Sequence, residues 1–342
     1  MSTPLKIGVI GLGRMGQLYT RALATLVSGV HLYAVADIDE QARKRVAHEF
    51  SVSHVFADAY KLIELPELDA VVVATPTSTH HNLVIAAAGS GKAIFCEKPL
   101  ALTLEENRRV VEAVARAQVA LQVGFMRRFD AAYQRAKALI ADGRIGRPIT
   151  FQSIGRDPFC PRSEYADPAL SGGLIVDMAI HDFDLARWLM GSEVERVSAE
   201  GALLVCEELA QVGDIDNAVI TLRFVNGALG TVEVSRNAFY GYDIRTEVLG
   251  SEGAITIGAH QHTPVILLTR SGAQHDVVPY LMERFGDAYR AQMQHFVNCL
   301  REGQQPSVNG ADALAALEIG IAATRAYQTG HPVILSELRL SS

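Results

Sequence analysis

The chain has 342 residues, 49% of them hydrophobic and 20% charged, with a formal net charge of −7. This length holds more than one hydrophobic core, so two domains are expected. The mild acidity argues against a nucleic-acid or anionic-membrane partner, and no apolar run is long enough to span a bilayer. No signal peptide is read ahead of the first strand-like run, which starts at about Leu5. The cysteines, Cys96, Cys160, Cys206 and Cys299, are far apart and form no C-x-x-C pair. That excludes a zinc ribbon or redox motif and fits core thiols in a reducing cytoplasm.

The first third alternates short β-branched apolar runs with helical patterns. The runs are "LKIGVIG", "HLYAVAD", "LDAVVVATP", "KAIFCEKP" and "ALQVGF". Continuous apolar strands separated by helices predict a parallel sheet covered on both faces. Between the first strand and the first helix lies Gly11-x-Gly13-x-x-Gly16, the context a dinucleotide-binding loop needs. Gly11 allows the tight turn, Gly13 admits a pyrophosphate, and Gly16 lets helix and strand pack closely. Arg14 and Met15 complete the loop and join the expected cofactor-binding set. Asp37 ends the second strand, where a carboxylate accepts the adenosine ribose hydroxyls and repels a 2′-phosphate. NAD is therefore expected over NADP. Arg14, Arg43 and Lys44 lie nearby and pull the other way. Thr75, Pro76 and His80 should line the same crevice, beyond the strand ends. Lys98 precedes Pro99, which keeps it out of helical geometry and at the strand end beside the crevice. On this local pattern alone, a surface lysine that happens to precede a proline is the better reading. Thr103 and Glu106 form a capping box for the next helix.

After about residue 125 the rhythm changes. "NAVITLRFVNGALGTVEVS" reads as two alternating strands around Asn226-Gly227, a hairpin signal. "IRTEVLGSEGAITIG" and "PVILLTRSGAQHDVVPY" continue as a meander, so the sheet is expected to be mostly antiparallel. One face of the first hairpin carries Ile220, Leu222 and Phe224. The other carries Val219, Thr221, Arg223 and Val225, and is covered either by a partner subunit or by helices of the same chain. Two long helical patterns close the chain. The domains are thus residues 1–125 and 126–342.

"GGLIVDMAIHDFDLARWLMG" reads as one amphipathic helix with Asp177 and His181 four apart on one face. A solvated face, a metal site and half of an active site all fit that spacing. For zinc, no third ligand with suitable spacing follows, so no metal is expected. Either Asp182 or Asp184 is expected to cap the helix or pair with an arginine such as Arg187.

In this order "GxGxxG", "AVAD", "ATPTSTHH", "CEKPL", "VGFMRRFD" and "SGGLIVDMAIHDFDLARWLMG" resemble the Gfo/Idh/MocA oxidoreductases over nearly the whole chain. "GRDPFCPRSEYADPALSGG" and "SRNAFYGYDIRTEVLGSEG" narrow the likeness to the bacterial inositol 2-dehydrogenases. The resemblance implies an α/β Rossmann domain followed by an α+β domain with a large, mostly antiparallel open sheet. It implies that Lys98, Asp177 and His181 converge near the nicotinamide, and it adds Glu97 and Lys98 to the cofactor-binding residues. It implies oxidation of a cyclic polyol, myo-inositol first, to the 2-keto product. In that chemistry a neutral imidazole, His181, takes the hydroxyl proton. Asp177 orients it, and Lys98 stabilises alkoxide character. Arg127, Asp157 and Tyr240 are the implied substrate contacts, with Tyr280 a further candidate. Relatives with asparagine in place of Asp157 leave the preferred stereoisomer open. A homotetramer formed through the C-terminal domain is also implied. The competing functions are an aldose or anhydro-sugar dehydrogenase of the same family and a non-catalytic nucleotide-sensing regulator, for which a complete Lys-Asp-His set has no use.

Overall fold

The computed structural model describes residues 3–258 and 260–340. They form two compact units. One runs to Met126 and takes in Asp287–Leu314; the other is Arg127–Gly286 with Ala315 onward. A cut at residue 125 leaves everything downstream in the second domain, whereas here 287–314 returns to the first. Local contacts account for the return: the Val123 N–H donates to the Val308 carbonyl at 3.1 Å, and Phe296 packs on Phe95 with ring centroids 6.0 Å apart.

In the first unit six strands are described: β1 (Leu5–Ile10), β2 (Val30–Ala36), β3 (His54–Phe56), β4 (Ala70–Val73), β5 (Ala93–Cys96) and β6 (Leu121–Val123). They pair in parallel in the order β3-β2-β1-β4-β5-β6. β4 is Ala-Val-Val-Val with no exposure at any position, as expected of a strand covered on both faces. The strand order reverses between β1 and β4, the switch point where such sheets bind ligands beyond the strand ends. The short β3 escapes a pattern search because three residues carry no periodicity. The capping box at Leu104–Ala117 forms as expected: Thr103 Oγ1 accepts the Glu106 N–H at 3.1 Å, and the Glu106 carboxylate accepts the Thr103 N–H at 3.2 Å.

The second unit holds β7 (Pro148–Arg156), β8 (Val194–Ala202), β9 (Asn217–Phe224), β10 (Leu229–Ser235), β11 (Asp243–Gly250), β12 (Ala254–Ile257), β13 (Gln261–Thr269), β14 (Gly272–Val277) and β15 (Val333–Ile334). Seven of them form one mixed sheet, β12-β11-β7-β10-β9-β8-β15; β13 and β14 pair separately. The β9–β10 hairpin turns at Asn226-Gly227 as expected, with Gly227 at φ 88°. The meander does not continue. β7 inserts between β10 and β11 and runs parallel to β10, so most neighbouring pairs, but not all, are antiparallel. The face with Ile220, Leu222 and Phe224 is buried at 0%, 2% and 0% exposure, whereas Val219 and Val225 on the other face are 52% and 67% exposed. Helices of the same chain therefore do not cover both faces.

The helix expected as one piece is two: Gly173–Asp177 and Ile180–Met190, joined through Met178 and Ala179. Gly172 precedes them at φ 86°, and a Cβ there would meet the Val176 side chain at 2.6 Å. A larger residue would have to move the helix it introduces. The cysteines also differ from expectation. Cys96 and Cys299 are buried thiols, but Cys160 and Cys206 are joined in a disulfide with Cα atoms 5.6 Å apart. Chain folding brings together residues 46 apart in sequence, which spacing alone cannot reveal.

Candidate active site

The first unit builds its site on the glycine loop. Gly11 adopts φ 89°, and a Cβ there would lie 2.6 Å from the Ala74 carbonyl. A Cβ on Gly16 would lie 1.7 Å from the Gly11 carbonyl, so strand, loop and helix close on one another only without side chains. Above Gly13 nothing lies within 4 Å of a built Cβ. The loop thus leaves open space at the N-terminus of helix Arg14–Thr25, where free N–H groups receive phosphate oxygens. Arg14 is exposed and Met15 half-buried beside it.

Asp37 follows β2. Its carboxylate accepts the N–H groups of Leu12 and Asp39, the latter at 2.7 Å, which fixes it against the glycine loop. Two of the nearby cations are engaged elsewhere. Arg43 donates to the carbonyls of Asp37 and Ile38 at 2.6 and 3.0 Å, and Lys44 pairs with Glu40 at 2.7 Å.

Thr75 is half-buried after β4 and shares a hydroxyl contact of 2.7 Å with Thr79; Pro76 beside it is exposed. His80 is only 1% exposed. Its Nδ1 lies 2.7 Å from the Pro99 carbonyl and its Nε2 2.8 Å from the Thr75 carbonyl. Burial pushes its pKa down against the pull of those carbonyls, helped by the charges of Lys98 and His81. The neutral ring has one N–H for two acceptors, so it donates to one carbonyl at a time. His80 therefore ties the Thr75 segment to Pro99. Its ring nitrogens face backbone where a direct cofactor contact was expected.

Glu97 and Lys98 follow β5, and the Lys98–Pro99 peptide is cis. Lys98 is half-buried. Glu97 is 7% exposed and faces the interior, where Tyr19 donates to one carboxylate oxygen and the Lys98 N–H donates to the other at 3.0 Å. Burial pushes its pKa up, while the Tyr19 hydroxyl, Lys98 and Arg14 hold it down.

The second unit carries Asp177 and His181 on its paired helices. His181 is 8% exposed, and the Asp177 side chain keeps 36% of its surface open. Arg236, 3% exposed, bonds Asp214 at 2.8 Å and lies 3.6 Å from Asp177. Asp214 in turn accepts the Leu174 N–H at 3.1 Å. Arg236 thus supplies a fixed cation beside Asp177 while Asp214 anchors the start of the helix that ends there. Burial raises the Asp214 pKa, against the Arg236 charge.

Arg127 has a different partner from the one expected. It is 4% exposed and its Nη1 bonds Asp182 at 2.5 Å, with the Ser153 hydroxyl donating to the same carboxylate oxygen at 2.5 Å. Asp182 has no exposed surface, and a buried carboxylate needs such a cation. Arg128 holds Asp184 through two bonds, at 2.8 and 2.5 Å. Arg187, the partner expected for one of these aspartates, binds Glu193 instead.

Tyr240 is also placed differently. Its hydroxyl accepts from Arg156 at 2.9 Å and donates to Asp243 at 2.8 Å. Arg156 and Asp243 are paired across β7 and β11 at positions facing away from the layer that contains Phe151, Ser153 and Asp182. Tyr242 is the tyrosine that shares the surroundings of Asp157. It is 8% exposed, packs edge-on to Tyr280 at 5.5 Å, and has its pKa pushed up by burial and by the Asp157 charge, with Arg127 opposing. Asp157 itself is half-buried, its backbone bonded to Ser235 and Ala238. Among the described residues no three His, Cys, Asp or Glu side chains gather as a metal site, and no helix is long and apolar enough to cross a membrane.

Two family profiles match this arrangement. Residues 5–125 match the Gfo/Idh/MocA oxidoreductase family's NAD-binding Rossmann fold, and residues 137–335 match its C-terminal alpha/beta domain. The chain belongs to the Gfo/Idh/MocA oxidoreductase family. It is 43% identical to the scyllo-inositol 2-dehydrogenase (NAD(+)) of Bacillus subtilis, covering 99% of this chain and 98% of that protein. It is 41% identical to the myo-inositol 2-dehydrogenase of Thermotoga maritima, covering 98% and 99%. The scyllo-inositol dehydrogenase of Lactobacillus casei, solved with bound NAD(H) and scyllo-inositol, superposes with a TM-score of 0.93 at 29% identity, covering 98% of this chain and all of that one. The open loop above Gly13 and the fixed Asp37 carboxylate suit the NAD that this Rossmann fold binds.

Sequence reasoning passed over Arg236, Tyr242, Tyr19 and Gln292. "SRNAFYGYD" does contain Arg236 and Tyr242. Choosing between Tyr240 and Tyr242 requires knowing where the turn before β11 places each ring.

Proposed function

We propose that this protein oxidises a ring hydroxyl of a cyclic polyol to the ketone with NAD, and that the polyol is an inositol, myo-inositol first. The observation that carries the reading is that the first unit holds an open glycine loop and a strand-end Lys98, while the second holds, within itself, a buried His181 and an Asp177 flanked by Arg236. In this reading the first unit holds cofactor and the second holds substrate. The chemistry NAD supplies is acceptance of a hydride from the carbinol carbon. His181 takes the hydroxyl proton, a task for which a neutral imidazole is suited near neutral pH. Lys98 stabilises the developing alkoxide as a cation. Asp177, beside the Arg236 guanidinium, orients His181 or holds a neighbouring hydroxyl. Asp157 and Tyr242 offer an acceptor and a donor to the remaining hydroxyls, which a polyol pocket must supply to avoid leaving them unpaired. The 43% identity to a scyllo-inositol enzyme supports that isomer as the second reading.

The enzyme is proposed to be a homo-oligomer, a tetramer, formed through the open sheet face. Leu229 and Leu249 join Val219 and Val225 there, and the β13 run Val265–Leu268 stands at least 55% exposed at each residue. Its expected location is the cytoplasm, where a soluble metabolite and NAD meet.

The deciding experiment is a panel of inositols, aldoses and anhydro-sugars with NAD, followed by identification of the product. A keto-inositol is the expected product. Turnover only of aldoses, with a lactone as product, would replace this reading with an aldose dehydrogenase, and no turnover at all would favour a nucleotide sensor.

A further inference from the structure

A chain of buried polar groups leads to the Glu97 carboxylate. Gln122 Nε2 donates to the backbone carbonyl of Gln292 at 2.8 Å, holding the main chain there. Gln292 Nε2 donates to the Tyr19 hydroxyl oxygen at 2.8 Å, and the Tyr19 hydroxyl donates to Glu97. Gln122, Gln292 and Tyr19 all have 0% exposure. The direction of the chain follows from the chemistry: an amide N–H occupies the phenol oxygen, so the single phenol proton points at the carboxylate. The other Glu97 oxygen takes the Lys98 N–H. A built Cβ on Gly124 would come within 3.0 Å of the same carboxylate, so the pocket closes around it.

A buried carboxylate is costly to ionise, so its burial is weak evidence for a stabilising role. Stability alone therefore gives a weak account of why Tyr19, itself bonded by the Gln292 amide, is directed at this carboxylate. Its neighbour gives a better one: Glu97 is bonded to the backbone of Lys98 and sits beside its charge.

We propose that Tyr19, oriented by Gln292, is a positioning residue for Lys98, acting through the Glu97 carboxylate that its hydroxyl fixes. The inference rests on the reading of Lys98 as the group that stabilises the alkoxide. Tyr19 is wholly buried and its hydroxyl donates to Glu97, so its effect passes through that carboxylate.

The charged and titratable groups around this carboxylate are Lys98 and Arg14, the Cys96 thiol on the same strand, and, around Tyr19, the Tyr289 phenol. Removing the Tyr19 hydroxyl takes away a donor that favours the anion. Glu97 then takes up a proton at higher pH, and Lys98 loses both its charge partner and its backbone anchor at that point.

The test is Tyr19→Phe, which keeps the ring packed on Phe95 at 5.0 Å and Tyr289 at 6.2 Å. The kcat for inositol oxidation should fall about tenfold near neutral pH, the size expected for one hydrogen bond to a charged group. The loss should shrink as pH rises, the acid limb should move to higher pH, and KM for NAD should stay unchanged. In a Glu97→Gln background the same change should add no further loss. A uniform loss at every pH, no loss at all, or effects that multiply in the double variant would overturn the proposal. Should Tyr19→Phe fail to fold, Gln292→Met interrupts the chain one residue earlier. An acid limb that stays in place in that variant would equally overturn it. Lys98→Met separates the two readings: if it retains full turnover, the role of Lys98 itself is wrong, whatever Tyr19→Phe shows.

Discussion

At the scale of single residues, what a motif dictates locally was legible and what a neighbour dictates was not. Gly11, Gly13 and Gly16 could be assigned from spacing because backbone sterics act within a few residues, and the structure gives each the close approach or open space anticipated. The place of Asp37 at the end of β2, against the glycine loop, was legible for the same reason. Two of the three cations that clouded its meaning, Arg43 and Lys44, turn out to be bonded to backbone and to Glu40. Asp37→Ser should therefore raise the ratio of kcat/KM with NADP to that with NAD by about tenfold or more, since it removes a charge from the place where the extra phosphate sits. Steady-state kinetics with both cofactors checks this, and wild-type efficiency that is equal with both contradicts it. Arg127 and Tyr240 show the opposite case. Each is polar, in the right motif, and bonded to a side chain far away in sequence: Asp182 for Arg127, and Arg156 for Tyr240. Nothing local announces those partners.

At the scale of elements, periodicity found the long strands, the β9–β10 hairpin and the capping box, because each is written in a run of consecutive residues. It missed that β7 separates β10 from β11, since a parallel pair is joined by a long crossover with no turn signal of its own. It also missed the loop that follows β8. There the Asp216 side chain accepts the N–H groups of Leu204, Val205 and Cys206 at 2.9, 2.6 and 2.7 Å, beside the Cys160–Cys206 bond. Burial alone would raise the Asp216 pKa, but these donors and the Asn217 amide hold it below the usual carboxylate range. The folded pKa is thus lower than the unfolded one. The stabilisation is present above the unfolded value and is lost as pH falls through the folded value. Asp216→Ala should cost about 1–3 kcal/mol at neutral pH by stranding the buried Cys206 N–H and taking the acceptor from the partly buried N–H groups of Leu204 and Val205. Urea melts should show the gap to wild type narrowing below about pH 4. A gap that is constant with pH would remove the ionised carboxylate from the explanation.

At the scale of the whole molecule, the two-part architecture was legible in the change of rhythm near residue 125, but the return of Asp287–Leu314 to the first unit was not. A long helical pattern carries no mark of which core its apolar face joins. The open sheet face gives the assembly prediction: with Val219, Val225, Leu229 and Leu249 exposed, light scattering at micromolar concentration should report a tetramer. A monomer would leave that face without the partner proposed for it. The central claim is that His181 removes the hydroxyl proton in a polyol oxidation assisted by Lys98. Its most direct test is kcat/KM against pH for wild type and His181→Ala, with myo-inositol and NAD, alongside a cofactor titration of both. The account predicts a loss of about a hundredfold or more in the variant, disappearance of the wild-type acid limb due to the imidazole, and unchanged NAD affinity. Near wild-type turnover with the acid limb intact would contradict it and pass the role of base to Asp177.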